Sequence, residues 1–294
     1  LRTITCLIVI LVLSAPHFAF AYDVLVILSR RDQVYEEALN GYRRVRNFSE
    51  RTIVLSDFVD VDITRVQRED RPSVILAVGD KALSLAKRTR HLPIVSLMAL
   101  SFSRSGASPM ATGVEFFVKP DQIVPIFSYL KARKVGVLFD PDKSGEYLRK
   151  SIAVASRLGV ELVKREVSSP RDTINQLTQL TGSVDAVWMI PDAAAVNNRT
   201  VEAYFLFAQG QQIPLLSFDR YHLGSGAAVV VEPDRNEMGV QAGEMVAAVL
   251  DGTSISSLPP LSPRKFILKT NPAVLKRLNI PADTVDRLHN FGRE

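Results

Sequence analysis

The residues that could do chemistry in this chain stand just past short apolar runs, where strands would end. Ser29, Arg30, Arg31 and Gln33 follow the run at 23–28, and Gly79 with Asp80 follows 73–78. Ser101, Phe102 and nearby Ser103 come after 93–97, Asp140 and Asp142 after 134–139, and Asp192 after Ile190-Pro191. Asp219, Arg220 and Tyr221 follow Ser217-Phe218. Their chemistry is that of grip, not of bond breaking. An arginine can clamp a carboxylate through two parallel N–H donors, an aspartate can pair with an ammonium, and Tyr221 or Phe102 can cover an apolar or aromatic part. Taken singly, each residue also reads as an ordinary helix cap or turn residue. The set gains weight only if two sheets bring these ends to one gap.

Other chemistries find little support. His91, His222 and His289 are far apart, and no HExxH or EF-hand spacing occurs, so no metal site is expected. No serine sits in a GxSxG elbow, and Gly224-Ser225-Gly226 reads as a flexible turn, so no catalytic residues are assigned. There is no GxxxxGK[ST], and 29–35 holds no glycine to cradle a pyrophosphate, so no cofactor is expected. Trp188 lies inside an apolar run, which favours a core role over ligand stacking.

The elements that must position these residues alternate. Strands are expected at 23–28, 52–55, 73–78, 93–97, 134–139, 160–164, 186–190 and 214–217, nearly continuous in Val, Ile and Leu, as strands covered on both faces are. Amphipathic helices are expected at 33–48, 80–89, 120–132, 145–158, 171–180 and 193–209. The longest spacing falls between the fourth and fifth strands, where a chain leaving one sheet for another needs extra length. Further on come an apolar run at 227–231, a helix at 234–250, a proline-bearing connection at 253–263, a strand at 265–269 and a helix ending at Leu278. The pattern predicts an α/β fold of two open parallel sheets, each with helices on both faces, and binding at the carboxyl ends of the strands.

Composition agrees with a globular chain of two domains: 294 residues, 47% apolar and 23% charged. Arg2, the apolar stretch 4–13 and Ala19-Phe20-Ala21 have the pattern of a secretory signal peptide cleaved after Ala21. The competing reading, a membrane anchor, has an apolar core only about half the roughly 20 residues a span needs. Setting this leader aside removes Cys6, the single cysteine, and leaves 35 basic against 31 acidic side chains. A periplasmic protein without disulfides is therefore expected. The clusters Arg43-Arg44-Arg46 and Lys131-Arg133-Lys134 read as solvated helix faces, and no nucleic-acid partner is expected.

The stretch 134–286 resembles the exported solute-binding proteins of ABC importers, in the tryptophan- or tyrosine-type branch. The resemblance is carried by KVGVLFDPDKSGEYLRK, VDAVWMIPDAAAV, IPLLSFDRYHLGSGAAVVVEPDRNEMGVQAGEM and FILKTNPAVLKRLNIPAD, and more loosely by SVILAVGDKALSLAKR, HLPIV and ATGV in the first half. It implies a type I periplasmic-binding-protein fold: two Rossmann-like lobes joined by three crossings near 114–119, 226–231 and 262–267. The first lobe would hold 22–116 plus 230–264, and the second 117–229 plus 265–294. The chain would act as a monomer without catalysing a reaction. It would close on a small organic solute and hand it to an ABC permease in the inner membrane, driven by a separate ATPase.

Departures from the family's pattern bear on the solute. Ser29-Arg30-Arg31-Asp32-Gln33 stands where the family commonly has Gln-x-x-x-His-Pro, Leu100-Ser101-Phe102 where it has Thr-Asp-Pro, and Asp192-Ala193-Ala194-Ala195 where it has Thr-Asp-Asn-Thr. Gly79 and Asp219 match. The solute is thus expected to be an amino acid or, from Arg30 and Arg31, an anion. The alternative function is an exported ligand-sensing or scaffold protein that presents the same fold to a membrane receptor.

Overall fold

In the computed structural model, residues 22–102 and 109–291 are described. The leader with its cleavage site, and Ser103, lie outside the described residues.

The first sheet is built from β1 (Val24–Leu28), β2 (Glu50–Val54), β3 (Val74–Val78), β4 (Ile94–Leu97) and β5 (Ala111–Gly113), in the order β2-β1-β3-β4-β5 and parallel throughout. Alternate residues of one strand face opposite layers, which explains the unbroken apolar runs. Val24, Val26 and Leu28 pack with α1 (Gln33–Val45) and α10 (Arg235–Leu250). Leu25 and Ile27 pack with α2 (Ile63–Asp70) and α3 (Asp80–Ala86).

The second sheet holds β6 (Lys134–Phe139), β7 (Glu161–Glu166), β8 (Ala186–Trp188), β9 (Leu215–Ser217), β10 (Val229–Pro233) and β11 (Phe266–Thr270). Its order is β11-β10-β9-β8-β6-β7, with β11 alone antiparallel. One face is covered by α4 (Pro120–Ile123), α5 (Pro125–Tyr129), α6 (Pro141–Arg157), α11 (Pro272–Arg277) and α12 (Ala282–Phe291). The other is covered by α7 (Pro170–Gln179) and α8 (Val201–Gln211), and α9 (His222–Ser225) is a single turn beyond β9. Trp188 is 2% exposed, edge-on to Phe127 and Tyr147, and belongs to this core.

Several sequence expectations change. The helix expected over 120–132 is two short ones, because Pro125 has no N–H to continue the first. The helix expected over 193–209 begins only at Val201. Asp192 takes the N–H groups of Ala194 and Ala195, and the Thr200 hydroxyl bonds the carbonyl of Ala195, so local side chains outcompete the helical pattern. Strand β5, α2 and α12 were not anticipated. β5 has only three residues, and α2 is so polar that its one buried residue is Ile63.

The chain passes between the sheets three times. The first crossing leaves β5 through Val114, in the first core, and reaches Val118, in the second. The second runs from the end of β10 into α10 through Asp234. Residues 230–233, expected in the first lobe, are part of β10, and the expected crossing at 226–231 moves to 233–235. The apolar run there is long because it forms a central strand. The third crossing is zipped to the first, Glu115 N–H donating to the Leu261 carbonyl at 2.8 Å and Leu261 N–H to that of Gly113 at 3.0 Å. Buried Gln241 on α10 clamps it further, donating to the Ser262 carbonyl and accepting from Arg264 N–H.

Candidate functional site

A cavity of about 520 Å³ opens where the first and third crossings meet the amino-terminal half of α6, beyond the carboxyl ends of β5 and β6. Helical spacing puts Lys143, Glu146, Tyr147, Lys150 and Val154 of α6 on the side that lines it. Glu115, Phe117, Val118 and Lys119 come from the first crossing and Ser262 from the third.

The wall of this cavity is aromatic and its rim is charged with both signs. Phe117 stacks on Tyr147 with ring centroids 4.4 Å apart, and the Tyr147 hydroxyl donates to the Val118 carbonyl at 3.0 Å. Burial pushes the Tyr147 phenol well above its ordinary pKa, so it stays a neutral donor. On the rim, Lys150 lies 2.9 Å from Glu146, and its hydrogen bond holds that carboxyl below the ordinary value. Lys143 is bound to Asp140 at 2.5 Å. Glu115 accepts from the Ser262 hydroxyl at 3.3 Å. The exposed ammonium of Lys119 has no ion-pair partner among the described residues. The arrangement can hold a small molecule with an apolar or aromatic part and both signs of charge.

Of the residues expected at the strand ends, Asp142 lines this cavity; Ser29, Arg30, Arg31, Gln33, Gly79, Asp80, Ser101, Phe102, Asp140, Asp192, Asp219 and Tyr221 are not among its lining residues. In the first lobe, the Ser29 hydroxyl donates to the Val78 carbonyl and accepts from Ala82 N–H, tying β1 and β3 to the start of α3. Both bonds commit the Ser29 hydroxyl to backbone of its own lobe. Gly79 is brought against it: at φ +86° a side chain is disfavoured, and a Cβ would stand 2.3 Å from the Tyr35 hydroxyl and 2.7 Å from that of Ser29. Asp80 accepts from Ser101 N–H at 2.7 Å, pinning the loop after β4 on which Phe102 turns inward, 6% exposed.

Arg30 is paired with Asp32 and lies over the Tyr35 ring at 5.2 Å, while Arg31 pairs with Asp57 at 2.6 Å. Burial works against the Arg30 charge, but Tyr35 and Asp32 outweigh it and raise the pKa. Both guanidinium groups thus have a carboxylate partner within their own lobe. Gln33 is exposed on the first turn of α1.

In the second lobe Asp192 is 2% exposed, and both of its oxygens are taken. One accepts from Asp140 N–H and the Ser144 hydroxyl, the other from Ala194 and Ala195 N–H. Like the Ser29 hydroxyl, this carboxylate is engaged by groups of its own lobe. Asp140 caps α6. Asp219 accepts from Tyr221 N–H, and Tyr221 stands 62% exposed. Arg220 between them is bound to Glu232 at 2.6 Å. Nearby, His222 bonds the Ser217 hydroxyl at 2.6 Å between the edges of Phe205 and Phe218. Burial lowers its pKa, against the pull of Asp219.

The cavity residues Phe117 and Lys119 were missed in the sequence. Their signal was an aromatic pair, Phe116-Phe117, inside a segment read only as a connection. Among the described residues, no group of three or more His, Cys, Asp or Glu is placed to hold a metal, and no helix is long and apolar enough to cross a membrane.

Comparison with known proteins gives a consistent set. The family described as ABC transporter substrate binding protein matches residues 58–287. A tyrosine-binding protein of Clostridioides difficile is 20% identical over 233 residues, spanning 74% of this chain and 66% of that relative's length. Among solved structures, the ligand-free, open form of a Clostridium difficile substrate-binding protein with adhesive properties superposes with a TM-score of 0.69 at 16% identity, covering 89% of this chain and 97% of that one. A Streptococcus pneumoniae ABC domain in complex with L-Trp gives 0.67 at 17% identity, covering 90% and 97%. At these identities the structural likeness is one of fold.

Proposed function

We propose, from the premise that this chain belongs to the ABC transporter substrate-binding protein family, that it captures a small zwitterionic solute in the cavity beside its crossings and delivers it to a membrane permease. The observation that carries this reading is the cavity itself. A stacked Phe117–Tyr147 wall with Lys119 and Glu115 at its edge offers apolar surface for a side chain, an ammonium for a carboxylate and a carboxylate for an ammonium. An L-amino acid with an aromatic or large apolar side chain meets those three demands. The tyrosine-binding relative and the L-Trp-bound neighbour support the same class.

Binding at a crossing has a mechanical consequence. A solute touching both the first crossing and α6 resists rotation of the lobes about the hinge, so the bound and free forms present different outlines to a permease. Nothing in such a cycle requires a bond to be made or broken in the protein, and the chain is proposed to act without catalysis and in an exported location.

A thermal-shift screen over L-amino acids, dicarboxylates, purines and sugars tests the assignment. A solute that binds only the folded state raises Tm with concentration, by about 2.7 kcal/mol of added stability at one hundred times Kd. Aromatic L-amino acids are expected to give the shift. A response to dicarboxylates with none to amino acids would overturn the zwitterion reading.

A further inference from the structure

We infer that Glu37, on the second turn of α1, is a positioning residue that holds the lobes together across the gap faced by the strand ends, through a closed ring of four charges. Glu37 accepts from Arg235 at 3.2 Å and from Arg220 at 3.4 Å. Glu232 accepts from the same two guanidinium groups, Arg235 at 2.8 Å and Arg220 at 2.6 Å. Two carboxylates and two guanidinium groups thus alternate around the ring. Glu37 and Arg235 belong to helices of the first lobe; Glu232 and Arg220 belong to β10 and the loop after β9, in the second.

The four links are not equivalent. Glu232 and Arg235 are three residues apart on either side of the second crossing and remain neighbours at any lobe angle. Glu37 and Arg220 are 183 positions apart, one on each lobe, so their separation reads the angle directly. Theirs is also the longest link, and both side chains are over a quarter exposed, 28% and 29%. It is the link that rotation and salt should break first.

Two further features keep Glu37 in place. Helices α1 and α10 approach so closely that a Cβ on Gly41 would stand 1.8 Å from the Asn236 carbonyl oxygen, and one on Gly239 1.8 Å from that of Ala38. Glu37 therefore cannot drift relative to Arg235. Arg235 is itself 4% exposed, and its Nε has no hydrogen-bond partner among the described residues. A buried guanidinium already short of one acceptor depends on both carboxylates. Glu232 is held by the same logic, burial raising its pKa against the opposing pull of Arg235 and Arg220. Glu232 sits near the carboxyl end of β10, Arg220 just after β9 and Arg235 at the start of α10, so the ring joins the second lobe to α1 of the first.

The ring is independent of which solute fills the cavity, and its test needs none. Spin labels at Lys81→Cys and Asn198→Cys, both exposed and one on each lobe, in a Cys6→Ser background, report the interlobe distance by electron–electron double resonance. At low salt, E37Q and R220Q are each expected to lengthen the mean distance, the population at the wild-type distance falling about two- to fivefold. The double variant should do no more than either single one, and R220K should restore part of the effect. One molar NaCl should move the wild type the same way and leave E37Q in place. A wild-type distribution in E37Q and R220Q, both folded by circular dichroism, would overturn the inference, as would an equal salt response in wild type and E37Q.

Discussion

At the scale of single residues, the polar groups at the strand ends divide into those that build the walls and those that face the cavity. Asp192 shows the first kind. It is buried with four donors on it, so Asp192→Ala should cost about 3 kcal/mol or more in urea unfolding, because the donors from Asp140, Ser144, Ala194 and Ala195 are left without an acceptor. A loss below about 1 kcal/mol would mean that water replaces the carboxylate. His222 carries a pH signature. Its folded pKa lies below the ordinary 6.5, so the folded state resists the proton that the unfolded chain accepts. Its contribution is present above pH 6.5 and is lost as pH falls toward the folded value. His222→Asn should therefore flatten the decline of Tm on acidification below 6.5, and an unchanged slope would assign the decline to other groups. The sequence could place Ser29, Asp80, Asp140, Asp192 and Asp219 at strand ends, because strand runs are local. It could not say which hydroxyls and carboxylates were already spent on distant backbone, since the partner of Ser29 lies 53 residues away on α3.

At the scale of elements, the α1–α10 seam determines how the first lobe meets the hinge. The glycines that make it possible, Gly41 on α1 and Gly239 and Gly243 on α10, are 3 or more residues apart within ordinary helical sequence. Gly239→Ala should push the helices apart and destabilise the fold by about 2–3 kcal/mol, read as a drop in Tm. Gly224→Ala, with nothing within 4 Å of its added carbon, is the control and should move Tm little. Strands were legible from their Val, Ile and Leu runs because both faces of each sheet are covered. Helices were less so where local chemistry competes: Pro125 split one, and Asp192 with Thr200 delayed another. The second crossing was misplaced because Val229–Pro233 reads equally well as connector or as central strand, and only its pairing with β9 and β11 settles it.

At the scale of the whole molecule, two sheets are joined by three crossings, the first and third tied to each other, with a cavity where those two meet α6 and a ring of charge beside the second. Titration calorimetry with an aromatic L-amino acid, comparing wild type, Lys119→Gln and Arg31→Gln, tests the placement of the solute most directly. Losing a charged hydrogen bond at Lys119 should weaken affinity about tenfold, consistent with roughly 1.5 kcal/mol for such a bond. Arg31→Gln should leave it unchanged, since that guanidinium is 76% exposed and already bound to Asp57. An unchanged Kd in Lys119→Gln together with a weakened one in Arg31→Gln would contradict the account and move the solute to the strand ends of the first lobe.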